Sequence, residues 1–502
     1  MIAPFRSLVL LFMIGLAVCS CQDDLEFVRG DSVELRFSVD TVMFDTVFTA
    51  RGSATQILKV YNDANENVSI DRVRVAGQTG VTYNFNVDGT QGPEARDVVI
   101  FAEDSIFVFV EATVDPTEPE EVSPFIAEDR LLFETGGRTS DVRLIAFGQN
   151  ANYLNDFRRG EFISLSCEGG TFTLPDDLPT VIFGSLFVDD CTLEALAGTR
   201  IYFHGGVQRN QEVFEGSGFF NDGFIFTLEQ GRLAFRGTAE EPVILSTDRL
   251  EERFRDDPGK YRGLILGPGS RGNVLEHTQV LNSIVGVTLD SAAELTLENS
   301  VIAYSNGAAI SAFLADVTVR NSLFHSNFGN AIQFILGGSL TMDHTTVANY
   351  GVDASALVLT NFDCDEEDNC LGAQMRARVR NSILVGSRDN ELILADIFGG
   401  DEPDLFDVRF ANSVVRTNNE FLRSQEGLFA DFYERLCSDC LNLSFDDPLF
   451  QSIQADDYRL DSLSVARGLG DFIPSLDTDI RGIQRVADST DAGAFQFVPG
   501  EE

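Results

Sequence analysis

The sequence predicts an all-β chain in which a long solenoid of stacked coils follows a small β-sandwich. Three observations predict it. A six-residue line recurs at nearly constant spacing through the second half of the chain. Apolar residues alternate with period two inside each copy, the mark of strands with one buried face. Ahead of the repeats lie short alternating segments separated by turn clusters, as in a sandwich.

Residues 1–21 read as a targeting segment and stand outside the fold. Arg6 supplies the positive end, and Leu8 to Val18 is an apolar run too short to span a bilayer. Val18-Cys19-Ser20-Cys21 follows and resembles the bacterial lipoprotein lipobox. That resemblance implies cleavage before Cys21 and lipidation of Cys21, because a small residue precedes it. Gln22-Asp23-Asp24 resembles the acidic signal that sends Bacteroidota lipoproteins to the outer surface. The expectation is a protein on the outer membrane of a Gram-negative cell, tethered through 22–30. Ordinary secretion is the alternative.

Residues 31–150 read as a sandwich with strands at Val33–Val39, Ile57–Tyr61, Ile70–Val75, Val98–Phe101, Ser105–Ala112 and Val142–Phe147. The stretch from Leu58 to Asn67 and the strand Leu144–Gly148 resemble segments of immunoglobulin-like domains of the ASH/Hydin type. Asp115 to Pro124 reads as an acidic loop within this domain.

The solenoid, 151–498, is carried by its repeats. Leu275-Glu276-His277-Thr278-Gln279-Val280 returns as Leu297-Glu298-Asn299-Ser300-Val301-Ile302, then at Val319–Phe324 and Met342–Val347, with further copies at Val379–Leu384 and Phe410–Val415. The anchors are His277, Asn299, Asn321, His344, Asn381 and Asn412, and the first four are separated by 22, 22 and 23 residues. A fixed period of this size marks a solenoid. Positions two and four before the anchor are apolar, the next position after it is Ser or Thr, and the third after it is apolar. Asn tolerates the left-handed conformation of a tight corner. With a further apolar pair, such as Val287 and Leu289, each unit becomes three short strands and three corners. Stacked coils form parallel sheets with about 4.8 Å between strands.

This pattern resembles the right-handed parallel β-helix family, from which the handedness is taken. Gly231 to Ser246 is similar to a coil of secreted Bacteroidota β-helix proteins, with Phe235 in place of a small residue. Asp447–Phe450, Asp457–Leu460, Asp479–Arg485 and Asp491–Phe495 resemble that family's closing coils. Asp248–Lys260, Asn361–Met375, Gly399–Asp404 and Asn418–Asn442 read as insertions. Many proteins of this family are polysaccharide lyases or hydrolases, so the resemblance implies that possibility for this chain.

The chain carries 79 acidic and 36 basic residues, a formal charge of −43. A nucleic-acid partner is excluded on charge, because the phosphate backbone would be repelled. Only Lys59 and Lys260 are lysine, and tryptophan is absent. Six cysteines follow the leader: Cys167, Cys191, Cys364, Cys370, Cys437 and Cys440. An exported chain favours disulfides. Proximity pairs Cys364 with Cys370 and Cys437 with Cys440, and Cys167 lies about one coil from Cys191. A zinc site on Cys437-Ser438-Asp439-Cys440 is the rival.

Few residues point to chemistry. His277 and His344 occupy corner positions, and His204 and His325 have no evident partner. The acidic run Asp363, Asp365, Glu366, Glu367 and Asp368 is a calcium candidate by ligand type, yet it lacks the glycine of an EF-hand loop. No cofactor is expected otherwise. The outward positions of the strand after the anchor include Val301, Leu323, His325 and Ile383, an apolar strip where polar residues are expected. Such a strip needs a cover or a partner, and the insertion 361–375 is the expected cover. The function expected is binding or structural, towards a polysaccharide or a surface protein. The alternative is a lyase or glycoside hydrolase with its site near that insertion.

Overall fold

The computed structural model describes residues 27–28, 34–48, 53, 55–77, 81–114, 125–154, 163–209, 219–365, 367, 369–418 and 428–500. Cys21 and its leader, the loop 115–124, Glu366 and Asp368 lie outside them. The chain divides into two compact units, Met1–Asn150 and Ala151–Glu502.

The first unit has two sheets. One joins Phe27–Val28, Asn67–Val75, Phe125–Thr135, Arg138–Gln149 and Thr41–Phe48, with Glu94–Ile100 on Asn67–Val75. The other runs Arg36–Phe37, Gln56–Tyr61, Ser105–Val114, Val81–Val87, Thr90–Gln91. Alternate residues of both, including Leu58, Val60, Val73, Val108, Val110, Phe133 and Leu144, form one buried core. The strands Thr41–Phe48, Val81–Val87 and Phe125–Thr135 are additional to those the sequence predicts.

The second unit is a parallel β-helix. Each regular coil has three strands, as in Gly263–Leu266, Asn273–Glu276 and Thr278–Leu281. Strands of the third kind form an 11-stranded sheet from Asn152–Leu154 to Leu441–Asn442, and the other two kinds share a 17-stranded sheet. They are shared because two coils do not break at one corner. Ile310–Arg320 and Ile332–Asp343 run through it, turning at Leu314 and Leu336, both in the left-handed region. Leu295, Leu297, Ile302, Val317, Val319, Phe324, Leu340, Met342 and Val347 point inward and join one core along the coils.

All six anchors have left-handed backbones, with φ of 43° at His277, 50° at Asn299, 46° at Asn321, 48° at His344, 50° at Asn381 and 49° at Asn412. The Ser or Thr after them has its own task. The Ser300 hydroxyl donates to the Glu298 carbonyl (2.7 Å) and accepts the Thr278 amide of the previous coil (2.9 Å). Ser322 does the same with Arg320 and Ser300, and Ser382 with Arg380 and Thr345. This buried hydroxyl ladder satisfies backbone groups where the chain turns too sharply to pair them, and an unpaired buried amide is costly.

The segments expected to close the solenoid do not coil. The coils end near Leu443, and the chain then folds back over the outer face of the 11-stranded sheet as a strap. It contains an antiparallel pair, Phe450–Ser452 with Asp457–Leu460, and otherwise turns.

Candidate functional site

The strap is the cover for the outward apolar strip, and it replaces both the insertion 361–375 and an external partner. Ile383, Val385 and Val414 pack against Leu449, Leu460, Ala466 and Ala492 of the strap. Leu323 and Ala348 pack against Tyr458, Ala494 and Phe495, with Val301 at the edge. Leu323 is 6% exposed, His325 8% and Ile383 0%. Val301, Leu323 and Ile383 do lie on the outward face, and the strap covers them. Burying a Leu or Ile contributes about 1.5–3 kcal/mol, which a coil added at the end of the solenoid would have forgone.

The corner ladder holds the strap through its side chains. Asn321 donates to the Thr478 carbonyl (2.9 Å), Asn412 to that of Leu469 (3.3 Å) and Asn381 to that of Asp471 (2.8 Å). Arg485 of the strap donates to the Asn321 side-chain oxygen at 3.0 Å. His344 meets the Asn381 amide at 2.9 Å, and burial drives its pKa down to about 2. His277 is half-buried at its corner, and burial likewise lowers its pKa.

His325 and His204 both have carboxylate partners that the sequence did not reveal. His325 Nδ1 lies 3.6 Å from Asp456 and 3.2 Å from the Ser326 hydroxyl. Asp456 also accepts from the hydroxyls of Tyr304 (2.8 Å), Tyr458 (3.0 Å) and Ser326 (3.2 Å). These donors, His325 first, hold its carboxyl far below the usual range. His204 pairs with Asp248 at 2.6 Å. The Asp456 cluster joins the strap to the coils with its carboxylate already saturated by donors.

The insertion 361–375 forms an exposed hairpin, Phe362–Cys364 with Cys370–Gly372, closed by a Cys364–Cys370 disulfide. Asp365 of the acidic run caps its own turn, accepting the amides of Glu367 (3.0 Å) and Asn369 (2.8 Å) and the Asn369 side chain (3.0 Å). Those bonds lower its pKa. Cys167 is bonded to Cys191, and Cys437 to Cys440. The Cys437–Cys440 bond leaves neither sulfur as a thiolate ligand for zinc.

A cavity of about 510 Å³ beside the last coils has room for a ligand. Its walls come from Met375–Arg380, Phe406–Ala411 and the turn of helix Phe432–Arg435. Side chains of a strand alternate, so Arg378 and Arg380 point out while Ala377 and Val379 fill the core. In-register pairing sets Arg378 beside Arg409 on the next coil and Thr341 on the previous one. Arg435 enters from the helix. Four arginines, Arg378, Arg380, Arg409 and Arg435, thus line the cavity with one carboxylate, Glu434. Thr341 and Ser438 add hydroxyls, and Phe410 and Leu436, buried in the core, form the floor.

Neighbouring carboxylates orient three of these arginines. Asp343 accepts from Arg380 at 2.7 Å, Asp431 from Arg435 at 3.2 Å, and Asp407 pairs with Arg378. The hydrogen bond from Arg378 lowers the Asp407 pKa, and the bond to Asp343 raises that of Arg380. Arg378 also donates to the Ala377 and Asp407 carbonyls, Arg409 to that of Val408 and Arg435 to that of Leu428, so part of each guanidinium's five N–H donors remains for a ligand. The middle outward column runs Thr296, Thr318, Thr341, Arg378 and Arg409, while its neighbours mix signs, Glu294, Asp316, Arg376 and Asp407 on one side and Glu298, Arg320, Asp343 and Arg380 on the other. The alternating Arg376-Ala377-Arg378-Val379-Arg380 was a legible signal for this site. Arg435 was not, because it arrives from an irregular segment.

No known family model matches the chain, and no curated protein matches it. Among solved structures it is similar to the catalytic unit of a thermostable GH87 alpha-1,3-glucanase from Streptomyces thermodiastaticus strain HF3-3. That match has 13% identity, 72% of this chain, 78% of that one and a TM-score of 0.27. It is also similar to a GH87 alpha-1,3-glucanase catalytic domain in complex with tetrasaccharides, at 9% identity over 71% and 63% of the chains, with a TM-score of 0.23. Neither likeness carries a statement about what this chain acts on.

Proposed function

We propose that this chain is a surface protein, held to the outer membrane by lipid on Cys21, whose β-helix binds an acidic polysaccharide in the arginine-lined cavity. The observation that carries the reading is the clustering of four arginines around one cavity in a chain of net charge −43. Fixed guanidinium groups are suited to carboxylate and sulfate, which they meet with paired, charge-assisted bonds. Glycoside hydrolysis commonly uses a pair of carboxylates; among the described residues the lining has Glu434, and the nearby Asp343, Asp407 and Asp431 are each engaged by an arginine. Binding without cleavage therefore fits this lining better than hydrolysis. The anchor rests on the Ser20-Cys21 junction and the acidic residues after it.

The test incubates the protein with uronate-containing, sulfated and neutral polysaccharides. Retention in affinity gels is followed beside the ultraviolet absorbance of unsaturated products and the release of reducing ends. Retardation by acidic polymers without either product is expected. Product formation would replace the binding reading with the enzymatic one.

A further inference from the structure

The first unit carries a second, independent place for a ligand. On the outer face of its five-stranded sheet, Ile57, Phe107 and Phe109 are 59%, 49% and 41% exposed. Those exposures exceed what a free sheet face needs, since the inward residues Leu58, Val60, Val108 and Val110 already complete the core. The Phe107 and Phe109 rings lie nearly parallel, with centroids 6.4 Å apart and planes 28° apart. Cross-strand pairing places Ile57, Phe109 and Asn86 in one row, with Gln91 beyond Asn86. The adjoining row sets Glu111 beside Asn84.

A recess of about 340 Å³ opens at this junction, lined by Thr55, Asn84, Asn86, Gln91, Phe109 and Glu111 among others. It is bounded by an aromatic ring on one side and by three amides, a hydroxyl and a carboxylate on the other. The Asn86 side-chain oxygen accepts the Gly89 amide at 2.9 Å, which fixes the plane of that amide. The two nearby cations are drawn to the far end of the platform. Lys59 lies 5.3 Å from the Tyr61 ring and 5.1 Å from that of Phe107, and Arg36 lies over Tyr61 and pairs with Asp63.

We infer that this face binds a neutral saccharide, with a ring stacked on Phe109 and its hydroxyls bonded to Asn84, Asn86, Gln91 and Glu111. Amides both donate and accept, which matches sugar hydroxyls. The aromatic platform supplies apolar contact with a large buried area. Among the described residues the lining has one carboxylate, Glu111, and no cation, which disfavours an acidic ligand. An anionic bilayer is disfavoured too, because it would meet a strongly acidic chain. The inference does not rest on the arginine cavity, and either site can fail alone.

The full chain is titrated with soluble neutral glucan, xylan and mannan, alongside the variants F107A/F109A, N84A/N86A and R378A/R409A. At least one polymer is expected to bind wild type. F107A/F109A and N84A/N86A should each weaken that binding tenfold or more, while R378A/R409A leaves it unchanged. Matching melting temperatures check that the variants are folded. The proposal is overturned if no neutral polymer binds, or if both sandwich variants bind like wild type. It is also overturned if F107A/F109A instead abolishes sedimentation with phosphatidylglycerol vesicles or a concentration-dependent dimer, which would assign the face to a lipid surface or to a second copy of the chain.

Discussion

Asn381 grips the backbone of Asp471 with both ends of its side-chain amide. The Asp471 N–H donates to Asn381 Oδ1 at 2.9 Å, and Asn381 Nδ2 donates to the Asp471 carbonyl at 2.8 Å. The two residues are 90 apart in sequence. One residue thus turns the coil, with its left-handed backbone, and docks the strap, with its side chain. Asn381→Ala removes both bonds together with the contact to His344 Nε2, a loss of about 0.5–1.5 kcal/mol per bond. Hydrogen exchange should show earlier opening around Asp471 with the coil strands unchanged. Uniform protection in the variant would deny the docking role.

Gly493 sits where the strap presses against the sheet. Its φ is +91°, and an added Cβ would lie 2.6 Å from both Ile383 Cδ1 and Thr346 Oγ1. Gly493→Ala therefore combines backbone strain with a clash and should destabilise strap docking by about 1–3 kcal/mol. Limited proteolysis should cut the variant within the strap sooner than wild type. Equal resistance would contradict the packing described.

His344 makes docking sensitive to pH. Its pKa falls from 6.5 to about 2 in the native state, through burial first and then the charges of Arg485 and Arg380. A neutral native histidine means that the opened state binds the extra proton. Stability is then fully present above about pH 6.5 and is lost progressively as pH falls from there towards 2, at up to about 1.4 kcal/mol per pH unit. Asp456, also depressed, adds its loss only below the ordinary carboxylate range. Strap exchange rates should rise between pH 7.5 and 5, and His344→Asn should reduce that rise. A pH response unchanged in His344→Asn would place the titrating group elsewhere.

The disulfides should differ in weight. Cys167–Cys191 closes a separation of 24 residues and packs at the core of the early coils, whereas Cys364–Cys370 ties an exposed hairpin. Replacing Cys167 and Cys191 with Ser should cost about 2–4 kcal/mol, and replacing the hairpin pair should leave global melting nearly unchanged. Calorimetry of the two double variants decides this, and equal effects would contradict it.

The coils were legible because their rules are local and periodic. Leu297, Asn299 and Ser300 each repeat a position whose backbone requirement recurs in every coil. The strap was not legible in the same way. Its motifs at Asp479 and Asp491 were recognised as closing elements, but their contacts reach back to Asn321 and Thr346, more than 140 residues away, and no period encodes such pairing. The apolar strip at Val301, Leu323 and Ile383 announced a need for burial without naming what meets it. The arginine cavity was half visible. Arg376, Arg378 and Arg380 alternate openly, while Arg409 joins them only through the pairing of coils and Arg435 only through an irregular turn.

The central claim is that the arginine cavity receives an anionic saccharide, and calorimetric titration of wild type and R378A/R409A with a uronate oligosaccharide at two salt concentrations tests it most directly. Each charge-assisted bond lost should weaken binding by about 1.5–3 kcal/mol, or about tenfold or more. Wild-type affinity should fall as salt rises, and the variant should bind weakly at both salts. Equal binding by wild type and variant, or wild-type affinity indifferent to salt, would contradict the account.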